Sequence, residues 1–420
     1  MRLDEYTGFN NIPNYNAAIS PGRHCPLFGV ASILRHIEGS TIIYLGTQDC
    51  VYYAQKQNLE RQIVHGNSSN ITRSLAVQVS ESDLVFGMGP QVEKLLREEI
   101  KKEDNQAIFL VTSCSIELIS ENLQGIVDKL LKETEKFIGL IPIENFKTFS
   151  YLEGIEKALD FLIQYTGKFK SEKKTYAILG ARKKGAEDSE PSKYLKKLGY
   201  RLIGILPYNI NLEELKELSK AEINLVLEPC GLSAAESLHQ KYGIPYVRFD
   251  RFLCLKATIE AWEKLGNLTN KDTDRFIVEE TKKIEELSEE VRKKLEGKSF
   301  FYSEKVLYPF ETCLFLSKLG MEATCIFVGS SMDRTDEIRQ ELLKYSNPRI
   351  WKNAEKRSRE KMLEEERPDY FIGNNSEKLE EYGTVGVQFP IEAGKVGFEY
   401  YKDSLKLLLE ANKEFKNEGI

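Results

Sequence analysis

The sequence predicts an α/β protein built from several doubly wound parallel sheets, and two observations carry that reading. Short apolar runs rich in β-branched residues alternate with longer amphipathic segments along the whole chain. The runs are close to continuously apolar, as strands are when helices cover both faces of a parallel sheet. In addition, four helical segments close on the same junction: KKLG, QKYG, SKLG and EEYG. Each puts a glycine (Gly199, Gly243, Gly320, Gly383) where a left-handed cap must end a helix before the next strand.

In chain order the first set of expected strands is TIIYLG from Thr41, DLVFGM from Asp83, AIFLVT from Ala107 and FIGLIP from Phe137. The second is TYAILG from Thr175, YRLIGIL from Tyr200, INLVLE from Ile223 and PYVRF from Pro245. The third is FFYSEKVLY from Phe300, ATCIFVG from Ala323, DYFIG from Asp369 and TVGVQF from Thr384. The expected domains are therefore residues 1–170, 171–298 and 299–397, each Rossmann-like, with a helix in 398–420 packing back on an earlier domain. Between the second and third sets, residues 257–298 hold the most charged stretch, including KKIEELSEEVRKKLEGK. It reads as one long solvated linker helix laced by i,i+4 Glu–Lys pairs.

Length and charge agree. A chain of 420 residues, at roughly 150 per domain, is expected to form two to four domains. Lys plus Arg total 59 against 65 Asp plus Glu, a net charge of −6, so the basic excess of a nucleic-acid or anionic-membrane binder is absent. No apolar run approaches the ~18 residues of a membrane span. The segment MRLDEYTGFNNIPN has no apolar core or small-residue cleavage site, so a cytoplasmic protein is expected.

Seven cysteines, an odd number with no Cys-x-x-Cys pair, make a poor disulfide framework and point to reduced thiols. Ligands of doubly wound sheets bind beyond the carboxyl ends of the strands. Three cysteines fall in such places or in turns beside them: Cys25 in PGRHCPLFG, Cys50 in GTQDC and Cys114 in VTSCSIELI. Each stands beside Pro, Gly, Asp or Ser rather than inside an apolar stripe. Thiolate sets of this kind select iron–sulfur clusters or zinc, and the only plausible fourth zinc ligand is His24. Cys313 (ETCLFL) and Cys325 (ATCIFV) read as core residues, and so does Cys254 in RFLCLK. GMGPQ from Gly87 lacks the third glycine of a dinucleotide loop and reads as a plain turn into a helix opened by Pro90. GARKKGAEDSE from Gly180 lacks the Lys-Ser/Thr of an ATP-binding loop. GSSMDRT from Gly329 reads as a helix start that ordinary capping explains as well as an anion site.

The segment PGRHCPLFGVASILRHIEGSTIIYLGTQDCVYYA, with VTSCSIELISENL after it, resembles the opening of the nitrogenase component 1 superfamily. EINLVLEPCGLSAAESLHQKYGIPYVRFD and RPDYFIGNNSEKLEEYGTVGVQFPI are similar to that family's second- and third-domain segments, in matching order. The resemblance implies three doubly wound domains of the nitrogenase component 1 type. It implies Cys25, Cys50 and Cys114 as ligands of an iron–sulfur cluster, [4Fe-4S] or larger, shared at a subunit interface of a homodimer or of a heterodimer with a homologous chain. It also implies a separate ATP-dependent iron–sulfur reductase as electron donor. Two departures bear on function. GTQDC replaces the family's His-Gly-Pro-x-Gly-Cys loop, and no histidine follows His239 where dinitrogen-reducing subunits hold their cofactor. Cys230 lies near, but about two residues off, the family's cofactor-binding cysteine. The expected function is an iron–sulfur subunit of a nitrogenase-like reductase acting on something other than dinitrogen. The alternatives are an assembly scaffold for a complex metallocofactor and a clusterless binding protein for a small molecule or tetrapyrrole.

Overall fold

The computed structural model describes residues 1–8, 11–13, 25–65, 72–144, 151–303, 308–328, 336–352, 356–373, 378–390 and 394–417. His24 and the GSSMDRT segment lie outside the described residues. The chain forms two compact units. One comprises Met1–Ile19, Gly185–Lys197 and Val247–Ile420; the other comprises Ser20–Lys184 and Leu198–Tyr246.

Among the described residues three parallel sheets are present, as the sequence predicts. The first holds β1 (Ser40–Gly46), β2 (Arg73–Gln78), β3 (Ala107–Thr112) and β4 (Phe137–Ile141), in the order β2-β1-β3-β4. The second holds β5 (Thr175–Leu179), β6 (Arg201–Leu206), β7 (Ile223–Val226) and β8 (Tyr246–Arg248), in the order β6-β5-β7-β8. The third holds β9 (Ser299–Tyr302), β10 (Glu322–Val328), β11 (Arg349–Lys352), β12 (Tyr370–Ile372) and β13 (Val385–Val387), in the order β11-β10-β9-β12-β13. Each sheet starts in its interior, winds to one edge, then returns and winds to the other. The reversals fall between β1 and β3, β5 and β7, and β9 and β12.

Every residue of β1 and β3 is buried, because alternate side chains feed two separate cores. Ile42, Tyr44, Phe109 and Val111 face one; Ile43, Leu45, Ile108 and Leu110 face the other. The junction glycines Gly199, Gly243, Gly320 and Gly383 all have positive φ, from +68° to +88°, as their position after a helix demands.

Four expectations need correction. DLVFGM is not a strand: Glu81–Phe86 is a short helix, started by a capping box in which Ser80 Oγ accepts the Asp83 N–H at 3.2 Å and Asp83 Oδ2 accepts the Ser80 N–H at 2.8 Å. The strand of that unit is β2, RSLAVQ, whose half-exposed edge position breaks up its apolar run. β11 (RIWK), also at a sheet edge, escapes the sequence reading because its two buried apolar residues, Ile350 and Trp351, stand between Arg349 and Lys352 and make no run. The charged stretch is two helices, Leu255–Thr269 and Asp274–Leu295, separated where Asn270 adopts the left-handed conformation.

In the unit that contains the third sheet, helix Gly397–Asn417 packs on helix Asp274–Leu295, and Lys402 pairs with Glu280. The N-terminal residues there extend the third sheet: the Leu3 N–H donates to Pro348 O and the Ile350 N–H to Met1 O, both at 3.0 Å.

Candidate metal centre

The carboxyl ends of β1 and β3 are neighbours, with Leu45 in register with Thr112. This is the reversal point of the first sheet, the position at which doubly wound sheets bind their ligands. Both loops carry a cysteine. After β1, Thr47 leads into helix Gln48–His65 with Cys50 in its first turn; after β3, Ser113 is the cap of helix Cys114–Ile119. Gly46 lets the loops close on one another: a side-chain carbon there would lie 2.5 Å from Ser113 Oγ and 3.6 Å from Cys50 Cβ. Cys25 arrives from a third direction as the cap of helix Pro26–Leu34, with extended backbone (φ −96°, ψ 128°). It packs with Cys50 against the same core.

All three thiols are half-buried and stand at helix N-termini, where the peptide dipoles favour negative charge. Burial pushes the Cys25 thiol up to about 11, opposed chiefly by the Leu27 N–H, and the nearby Cys50 and Cys114 push in the same direction as burial; the Phe28 N–H donates to the Cys25 carbonyl oxygen at 3.2 Å. Cys114 is raised by burial and then by Cys50, with the Ser115 N–H pulling the other way. The three sulfurs are thus close enough to sense one another's charge. Around them, Ser113 and Ser115 share a 2.7 Å hydrogen bond and the Thr112 hydroxyl donates to Glu117, which fixes the third loop.

Among the described residues no group of three or more His, Cys, Asp or Glu side chains is arranged to hold a metal ion. A single ion draws its ligands to one point; a polynuclear cluster keeps its ligand sulfurs apart on separate irons. The three candidate donors are all thiols, the donor chemistry that an iron–sulfur cluster would take.

Cys230 stands apart. It lies in the turn Pro229–Gly231 after β7, is 5% exposed, and donates from Sγ to Gly180 O at 3.4 Å. Burial pushes its thiol up to about 12 against the opposing pull of Arg182; its other charged neighbours are Glu228 and Glu156. Arg182 Nε in turn donates to Glu228 Oε2 at 3.2 Å. That geometry is what a packing residue at a closed turn shows. Cys313 and Cys325 are fully buried, Cys325 among Phe301, Trp351 and Phe371. Cys254 caps helix Leu255–Thr269 and is half-buried.

Sequence reasoning missed exposed apolar side chains on the helices that follow β1, β2 and β3. Val85 and Phe86 are 75% and 86% exposed, Leu118 69% and Tyr52 58%. The signal was available in the S-x-x-D box ahead of Leu84, which assigns LVF to a short surface helix rather than to a buried strand.

Fold and donor set together define a three-sheet doubly wound α/β protein with soft sulfur donors at its first reversal point. The chain belongs to the nitrogenase component 1 type oxidoreductases, whose family profile matches residues 25–394. It is 26% identical over 235 residues to the nitrogenase molybdenum-iron protein alpha chain of Clostridium pasteurianum, covering 53% of this chain and 43% of that one. It is 23% identical over 383 residues to the nitrogenase iron-molybdenum cofactor biosynthesis protein NifE of the same organism, covering 87% and 81%. It is also 24% identical over 280 residues to a light-independent protochlorophyllide reductase chain of Gloeothece citriformis, covering 61% and 53%. Against two nitrogenase alpha chains the chain spans about half their length, 43% and 55%. The solved structure titled nitrogenase Cp1 at pH 6.5 superposes with a TM-score of 0.75 over 96% of this chain and 95% of that one, at 16% identity, which is a likeness of fold.

Proposed function

We propose that this chain is an iron–sulfur subunit of a nitrogenase-like reductase, with Cys25, Cys50 and Cys114 as ligands of a [4Fe-4S] or larger cluster. The observation that supports this reading is that three half-buried thiols stand at helix N-termini around the reversal point of the first sheet and influence one another's charge. An iron–sulfur cluster held there supplies one-electron transfer at a potential set by its surroundings. The chain's own contribution is to hold three sulfurs at helix N-termini, to turn the N–H groups of Leu27 and Ser115 toward two of them, and to back them with an apolar core.

One chain offers three thiols and the usual cluster takes four ligands, so a second chain of the same fold, identical or homologous, is the proposed partner. The exposed Tyr52, Val85, Phe86 and Leu118 on the helices that follow β1, β2 and β3 support a mating surface there. A separate ATP-dependent iron–sulfur reductase is the proposed electron source. Dinitrogen is not the proposed substrate, since no histidine follows His239.

Anaerobic isolation with iron, sulfide and EPR analysis tests the reading. Bound iron and sulfide are expected, largely lost in Cys50→Ala and retained in Cys313→Ala. Colourless, iron-free protein would overturn it.

A second reading, a scaffold on which a metallocofactor is assembled, is favoured by the match to NifE along 87% of the chain. Sustained substrate reduction with a reductase and ATP would exclude the scaffold. Transfer of a cluster to an acceptor protein without such turnover would support it.

A further inference from the structure

The helix that Cys25 caps rests on another helix through backbone rather than side chains. Helix Pro26–Leu34 is buried along its whole length and packs on helix Tyr151–Ile163. At the crossing both helices present glycine. A side-chain carbon on Gly154 would stand 2.7 Å from both Cα and C of Pro26, and closer still to its carbonyl oxygen. One on Gly29 would stand 2.9 Å from the Ile155 nitrogen and closer to Tyr151 O. No rotamer relieves these clashes, because the obstructing atoms are main chain. The two backbones therefore touch one residue away from the Cys25 thiol.

We propose that Gly154 is a positioning residue for Cys25. Its bare Cα is the seat on which Pro26 rests, and that seat fixes where the first turn delivers the sulfur relative to Cys50 and Cys114. Helix propensity points the other way: glycine in mid-helix is poorer than alanine, so the position is held by contact and not by local preference. A methyl group at Gly154 must push Pro26 outward by a fraction large beside the ~0.5 Å tolerance of a preorganised site. Cys114 hangs from β3 and would not follow, whereas Cys50 lies on helix Gln48–His65, which itself packs on helix Pro26–Leu34. The inference rests on the proposed role of Cys25 for its meaning, but the contact can be tested without metal.

The experiment measures alkylation of Cys25, Cys50 and Cys114 separately, by mass spectrometry, in the folded metal-free full chain. Gly154→Ala is expected to change the Cys25 rate severalfold and to leave the Cys114 rate unaltered. Gly266→Ala is the control: its added carbon would meet Lys271 O at 2.7 Å, a backbone clash of the same kind far along the chain in helix Leu255–Thr269. Ile155→Val, a milder change that loosens the fully buried crossing instead of jamming it, serves if Gly154→Ala does not fold. A Cys25 rate unchanged in both crossing variants overturns the proposal, as does an equal change in Gly266→Ala. In iron-loaded protein the matching expectation is an altered EPR spectrum in Gly154→Ala and an unaltered one in Gly266→Ala. Wild-type protein that takes up no iron would sink the cluster reading while the alkylation result still decides the contact.

Discussion

Glu190 shows how one side chain can give the molecule a pH dependence away from the thiols. Its carboxylate lies in the first turn of helix Glu190–Lys197 and accepts the Phe398 N–H at 2.9 Å. Burial pushes it from 4.5 up to about 7, against the pull of that N–H; Glu399 and Glu280 add to the rise and Lys402 opposes it. A carboxyl whose folded value lies above its unfolded one favours the folded state when protonated. Its contribution is fully present below about 4.5 and is lost as pH climbs toward 7. Glu190→Gln, which keeps an acceptor for Phe398, should flatten that part of the stability profile and raise stability at pH 8 by about 1–3 kcal/mol, measured by urea unfolding across pH. Asp250 behaves differently. It is fully buried, takes two bonds from Arg248 at 2.9 and 2.7 Å, and accepts the Tyr308 hydroxyl at 2.9 Å. Burial and then that carboxylate push the Tyr308 phenol far up, so it remains a donor. Asp250→Ala should cost about 3–5 kcal/mol in the same assay, since it removes the buried carboxylate that both Arg248 and Tyr308 bond. Neither network was legible in the sequence: Glu190 and Phe398 are 208 positions apart, Asp250 and Tyr308 58. Cys25, Cys50 and Cys114 were legible as candidates because turn residues flank them, a local property.

At the scale of elements, the helix Glu81–Phe86 sets the sharpest test. None of its residues is buried, so its apolar side chains add little to the stability of a single chain. Replacing Val85 and Phe86 together by Ser should leave the unfolding midpoint within about 0.5 kcal/mol of wild type. It should weaken self-association or pairing with a homologous chain, read by analytical ultracentrifugation. A stability loss without change in association would place those side chains in a fold-supporting contact instead. Element type was readable wherever burial made a strand apolar throughout, as in β1 and β3, and wherever a glycine cap marked a helix end. It was misread at DLVFGM, where an apolar triplet outweighed the Ser80–Asp83 box, and missed at β2, where an edge strand mixes exposed and half-buried positions. Hydrophobic runs report burial, and short surface helices and edge strands escape that signal.

For the whole molecule, iron loading should act as ligand binding to the native state. Reconstituted protein should melt higher than metal-free protein, and chelation followed by removal of iron should reverse the gain. An identical melting temperature before and after loading would mean the iron is bound without engaging the folded site. The three sheets could be anticipated from their repeated strand–helix–glycine junctions, because that pattern is written locally. The grouping of Gly185–Lys197 with Val247–Ile420 could not, since it depends on pairings such as Glu190 with Phe398 that only the folded chain brings about. The main-chain bonds of Met1 and Leu3 to Ile350 and Pro348 carry a practical consequence. They seal what would otherwise be a bare strand margin, and such margins recruit strands from other molecules. Proteolytic clipping of the first few residues during purification is therefore a plain route to sticky, aggregating material, even with every thiol intact.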